Sequence, residues 1–231
     1  MHLQNYFTEA RNLIQEQNFN QLKELQLEKP EYFNWVEEIF YDLNVKNFGN
    51  QDALIWRYNE KEKRYSYREM YEVSNQLLNL LRKNGVQQGD RMYSMLPLVP
   101  ANWISFVATI KGGFIMMPAP TNLTSRDLMH RFESLFPEVF VTDIDNAPKI
   151  DEAEKDFGKK IKVKVCVGGS RDGWVSFDDL MAMPKEAQVA STKSDDPVLY
   201  FFTSGTTGLP KIVVHTPVSY THLTLPTTPY V

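Results

Sequence analysis

Between residues 203 and 211 the chain reads Thr-Ser-Gly-Thr-Thr-Gly-Leu-Pro-Lys. Thr203, Ser204, Thr206 and Thr207 bring four hydroxyls, Gly205 and Gly208 free the backbone, and Lys211 adds a positive charge. These residue types together suit phosphate. Glycine permits the angles that turn successive N–H groups inward, forming a concavity for an anion. Hydrogen bonds to a charged group are worth about 1.5–3 kcal/mol each, so several aimed at one polyphosphate make a binding site.

Two strands are expected to hold this loop. Val198 to Phe202 is a short apolar run rich in strand formers, and Lys211 to Val214 opens a second one, Ile-Val-Val. Gly205 and Lys211 do stand at the separation of a Walker A loop. However, Pro210 occupies the place of its second glycine, and Ile212 replaces its metal-binding Ser or Thr. A Walker loop also opens a helix, whereas the β-branched run after Lys211 predicts a strand.

From Phe202 to Lys211 the segment resembles, position by position, the phosphate loop of the adenylate-forming enzymes, an aromatic followed by T-S-G-[ST]-T-G-x-P-K. That superfamily includes acyl-CoA synthetases, peptide-synthetase adenylation domains and luciferases. Gly89-Asp90-Arg91, Leu96-Pro97, Pro100, Trp103, Lys111-Gly112-Gly113 and Pro118 are similar to scaffold features of its amino-terminal region. Tyr32-Phe33-Asn34-Trp35, Val99-Pro100 to Trp103 and Gly173-Trp174 most resemble the medium-chain acyl- and aryl-CoA synthetases. The resemblance covers roughly residues 30 to 216. It implies that Thr203, Ser204, Gly205, Thr206, Thr207, Gly208 and Lys211 grip the β- and γ-phosphates of ATP. It also implies Mg2+, coenzyme A as a substrate, and a short- or medium-chain or aromatic carboxylic acid.

The remaining elements read as an α/β protein of βαβ units with a mainly parallel sheet. Phe7, Ala10 and Ile14 repeat at helical spacing. Asn34 can cap a second helix, with Glu37 three residues on. Ala53 to Tyr58 and Arg64-Tyr65 are expected to form a hairpin across the charged turn Asn59 to Lys63. Ser66 with Glu69, and Thr124 with Asp127, are capping boxes for helices carrying Met70, Val73, Leu77, Leu80 and Leu81, and ending at Leu135. Arg91 to Met95, Phe114 to Met117, Val139 to Val141 and Ile161 to Val167 are strands. Ala101 to Lys111 is a helix ended by Gly112-Gly113. Asp145 to Phe157 reads as a charged surface helix. Ser176 can cap a short helix whose Asp178-Asp179 are first-turn acids, and Pro184 to Asp196 is a polar connection.

The chain has 231 residues, 42% of them hydrophobic, enough for one large α/β domain or two small ones. Its net charge of −4, with no basic cluster, excludes nucleic acid as partner. A single Cys166 inside a strand excludes an internal disulfide and reads as packing. His130 has no companion ligand at metal spacing. No apolar run reaches membrane length, and the amino terminus lacks a signal-peptide core, so a cytoplasmic protein is expected. Neither oligomeric state nor the particular acid is legible.

By domain, residues 1–48 are expected as leading helices, and 49–216 as a partial large domain ending just after the phosphate loop. Residues 217–231 are expected as a non-native tail. Val218 to Thr227 matches the translation of a transposase adapter, so the tail is set aside from fold reasoning. The resemblance places the adenine and ribose contacts, the magnesium-binding acid, the hinge and the catalytic lysine beyond this point. No catalytic residue is therefore assigned here, and this chain alone is expected to be inactive. Three other functions fit less of the sequence: a peptide-synthetase-type adenylation domain, a P-loop NTPase, and a non-catalytic nucleotide-binding protein.

Overall fold

In the computed structural model, residues 3–25, 29–203 and 211–217 are described. The leading part holds α1 (Leu3–Gln15), α2 (Phe19–Glu24), a π-helix (Val36–Val45) and α3 (Lys46–Phe48). A separate antiparallel hairpin follows, β1 (Asp52–Tyr58) and β2 (Lys61–Ser66). The main body then alternates α4 (Tyr67–Lys83), β3 (Arg91–Met95), α5 (Pro100–Lys111), β4 (Ile115–Pro118), α6 (Ser125–Ser134), β5 (Val139–Asp143), α7 (Ala147–Phe157), β6 (Val163–Val167) and β7 (Val175–Ser176). A 3-10 helix (Phe177–Ala182) and a long connection lead to β8 (Leu199–Thr203) and β9 (Lys211–His215).

The strands of the body form one sheet in the order β7-β6-β5-β3-β4-β8-β9. Every neighbouring pair is parallel except β8 with β9, which is antiparallel. The expected βαβ architecture is the observed one. Its central strands are buried on both faces, as parallel strands flanked by helices must be, with Val139, Phe140, Val141 and Thr142 all inaccessible. One face packs against α4, α5 and the π-helix, through Leu77, Leu81, Ile104 and Ala108. The other packs against α6 and α7, where Tyr93, Leu128, Phe132, Phe140 and Ile150 meet.

Local sequence accounts for the helix ends. Ser66 with Glu69, and Thr124 with Asp127, form reciprocal capping boxes, and Pro100 occupies the first turn of α5. The Ser176 hydroxyl accepts from the Asp178 amide at the start of the 3-10 helix.

Three expectations need correction. Helix α7 is amphipathic rather than a surface helix: Ala147, Ile150 and Ala153 are fully buried on the sheet. The hairpin turn is only Asn59-Glu60, because Asn59 accepts a positive φ of 54° and lets β2 begin at Lys61. Asn34 does receive the Val36 amide, but its own N–H donates to Glu38, not Glu37. Glu37 is engaged elsewhere, its carboxylate accepting from Tyr71 and pairing with Lys111, so the next acid, Glu38, reaches back over the cap.

The connection 183–197 lacks regular structure yet is held throughout. Asn75, Gln76, Asn79 and Arg82 on α4 donate to the carbonyls of Lys185, Met183, Pro184, Glu186 and Gln188. Further on, Phe33 N–H donates to Thr192 O, and Ser194 N–H donates to Glu31 O. The polar connection thus seats the leading segment beside the entrance to β8.

Candidate functional site

The candidate residues lie where β8 ends. Strand β8 runs parallel to β4, with Leu199 opposite Met116, so Thr203 stands at the carboxyl end of the sheet. In open α/β sheets this is the edge where ligands bind. Strand β9 returns antiparallel, in a register that pairs Thr203 with Lys211 and Phe202 with Ile212. The Thr203 hydroxyl donates to the Lys211 carbonyl at 3.4 Å.

The two outermost candidates are therefore brought together at the base of one loop, and both side chains are exposed to solvent. Ser204, Gly205, Thr206, Thr207 and Gly208 lie outside the described residues. A hydroxyl donor and an ammonium on adjacent strand ends are chemically suited to phosphate oxygens. Lys211 opens a strand, not a helix, which removes the Walker A reading.

Alternation along β8 decides what supports the loop from below. Tyr200 and Phe202 point to the α6–α7 face, whereas Leu199 points to the other. Phe202 stacks on Tyr93, with ring centroids 6.0 Å apart, and Tyr93 stacks on Phe140 at 5.4 Å. Burial pushes the Tyr93 phenol well above its ordinary range, against the opposing pull of Arg131. An aromatic row thus crosses from β5 through β3 to β8, one residue short of Thr203.

Other candidates separate from the site. Cys166 is buried within β6, and burial raises its thiol. His130 sits on α6 with Nδ1 3.6 Å from Glu133. Among the described residues no three His, Cys, Asp or Glu side chains converge as a metal site. Among the described residues, two clefts are lined by neither Thr203 nor Lys211. One of about 410 Å³ includes Arg64, Glu72 and Phe177, and one of about 320 Å³ is lined by apolar residues that include Trp35, Leu54 and Trp103.

Lys111 does more than end its helix. Its ammonium is buried, 2.8 Å from Glu37 Oε1 and 2.6 Å from the Tyr71 hydroxyl, which itself donates to Glu37. Burial lowers the Lys111 ammonium, partly offset by Glu37, and raises the Tyr71 phenol. The available signal was a lysine closing a helix, Pro100–Lys111, that is apolar nearly all round.

An open, doubly wound α/β sheet with a glycine- and hydroxyl-rich loop at the carboxyl end of one strand defines the class of this molecule. The family model of the AMP-binding enzymes matches residues 41–227, and the chain belongs to that family. A 4-hydroxybutyrate–CoA ligase of Metallosphaera sedula is 40% identical over 190 residues, covering 81% of this chain and 33% of that protein. The mitochondrial acyl-coenzyme A synthetase ACSM5 of Mus musculus is 34% identical over 199 residues, covering 83% and 34%. Among solved structures, an anthranilate CoA ligase bound to anthranoyl-AMP superposes with a TM-score of 0.73 at 24% identity, over 83% of this chain and 36% of that one. Acetoacetyl-CoA synthetase from Streptomyces lividans gives 0.73 at 22%, over 80% and 30%. These two likenesses establish the fold. The chain spans about a third of the length of the curated relatives it matches. No helix among the described residues is long and apolar enough to cross a membrane.

Proposed function

We propose that this chain is the amino-terminal part of an AMP-forming acyl-CoA synthetase, which converts ATP, a carboxylic acid and coenzyme A to acyl-CoA, AMP and pyrophosphate. The observation that carries the reading is the Thr203–Lys211 pairing. It closes a family-type phosphate loop at the ligand edge of the sheet. Lys211 supplies counter-charge to the β- and γ-phosphates, and Thr203 supplies a hydroxyl donor. Ser204, Gly205, Thr206, Thr207 and Gly208 complete the grip. Such chemistry depends on positioning and on neutralising charge that develops in the transition state.

The acid is proposed to be short- or medium-chain or aromatic, in keeping with the names of the relatives. The resemblance assigns the acidic ligand of Mg2+ to sequence beyond residue 216. There the resemblance also puts the catalytic lysine. On the same footing, residues 49–216 are the partial AMP-binding domain, 217–231 are non-native, and the protein is cytoplasmic.

Acid-dependent exchange of pyrophosphate into ATP tests the reading. The whole protein is expected to exchange with at least one acid of a panel, and the 231-residue chain with none. A whole protein that neither binds ATP nor exchanges would overturn it.

A further inference from the structure

A cation holds the aromatic residue that precedes the loop. The Arg131 guanidinium of α6 lies over the Phe202 ring, 4.6 Å from its centroid. Tyr93 stacks against the same ring, and Phe132, next to Arg131, packs into the same cluster. Arg131 is also close enough to act electrostatically on the Tyr93 hydroxyl. Arg131 Nη1 and Tyr93 Oη are both buried and near each other, yet neither makes a well-formed hydrogen bond among the described residues.

Unpartnered buried donors cost stability. A leucine and a phenylalanine would fill this space without that cost. What they would not supply is a flat cation fixing the plane of Phe202. Because Phe202 immediately precedes Thr203, the ring's position sets the direction in which the strand delivers the first loop hydroxyl.

We infer that Arg131, backed by Tyr93, is a positioning residue for the phosphate loop: by pinning Phe202 it orients Thr203 and the loop base toward a nucleotide's phosphates. This rests on the loop function proposed above. Arg131 touches no reacting atom; it acts through Phe202. Lysine keeps the charge but lacks the plane that stacks on a ring.

The test compares Arg131→Lys, Arg131→Met and Lys211→Met in the whole protein. KM for ATP, KM for the acid, and thermal midpoint are read separately. Arg131→Met is expected to raise KM for ATP roughly fivefold or more, the scale of one lost cation–π contact, with KM for the acid unchanged. Arg131→Lys is expected to keep the thermal midpoint while recovering only part of the ATP affinity, and it carries the test alone if Arg131→Met does not fold. If both KM values move in parallel, or if Arg131→Lys restores ATP affinity fully, Arg131 is merely structural and the inference falls. Lys211→Met separates the two readings. If it leaves KM for ATP unchanged, the phosphate-loop function itself fails. If it raises KM for ATP while Arg131→Lys does not, only the present inference fails.

Discussion

Lys111 and Glu37 close an ion pair at 2.8 Å across 74 positions of sequence, with the Tyr71 hydroxyl bonded to both. It ties the start of the π-helix to the end of α5. A buried charge survives only with a partner, and removing one member leaves the other stranded. Glu37→Gln is therefore expected to cost about 3 kcal/mol, the lower end for such pairs because the Glu37 side chain keeps 26% exposure. Denaturant titration of Glu37→Gln, Lys111→Met and the double variant checks this. The double variant should be more stable than Glu37→Gln alone.

At the loop itself the expectation is reversed. Lys211 is exposed and opens an edge strand, so Lys211→Met should change stability by no more than about 0.5 kcal/mol. Its effect belongs to ligand binding. A tenfold or greater rise in the dissociation constant for ATP, about 1.4 kcal/mol, is expected from losing one charge-assisted contact. Calorimetric titration on the whole protein reads it directly.

Gly113 turns the chain from α5 into β4 at a φ of 67°, and an added Cβ would sit 3.0 Å from Ala190 Cβ, Gln88 Cγ and Thr192 Cγ2. Positive φ and crowding act together here, so Gly113→Ala should cost about 1–3 kcal/mol. The contacts belong to the connection 183–197 as well as to the turn. Faster proteolysis within that connection is the accompanying sign.

Acid should weaken the fold through two carboxylates. Burial pushes Asp151 up, but hydrogen bonds from Lys164, Arg171 and Trp174 outweigh it and hold the group below its ordinary value. Glu138 is likewise opposed by burial and lowered overall by Arg91. A depressed folded-state value means that the unfolded chain takes up protons first as pH falls. The stabilisation is complete above the unfolded values near pH 4 and is lost progressively below them. Urea midpoints measured from pH 7 down to pH 3 should show this limb, and Asp151→Asn should flatten it.

Much of the body was legible because its signals are local. Strand Arg91–Met95 has the expected bounds, and the two capping boxes are where Ser66 and Thr124 place them. The two strands that flank the loop were legible for a related reason, since each is a run of consecutive strand formers. What escaped was long-range. Nothing near Arg131 announces Phe202, 71 positions on, and nothing near Lys111 announces Glu37. The π-helix escaped because its sequence carries the same apolar spacing an α-helix would.

Residues 30–34 complete their bonding with Thr192 and Ser194, some 160 positions later. A chain folding as it is made can settle this segment against α5 through Asn34 and Ile110, but cannot finish it until five of the seven strands of the sheet have been translated. Closing so wide a span is slow, so the entrance to β8 is expected to set late.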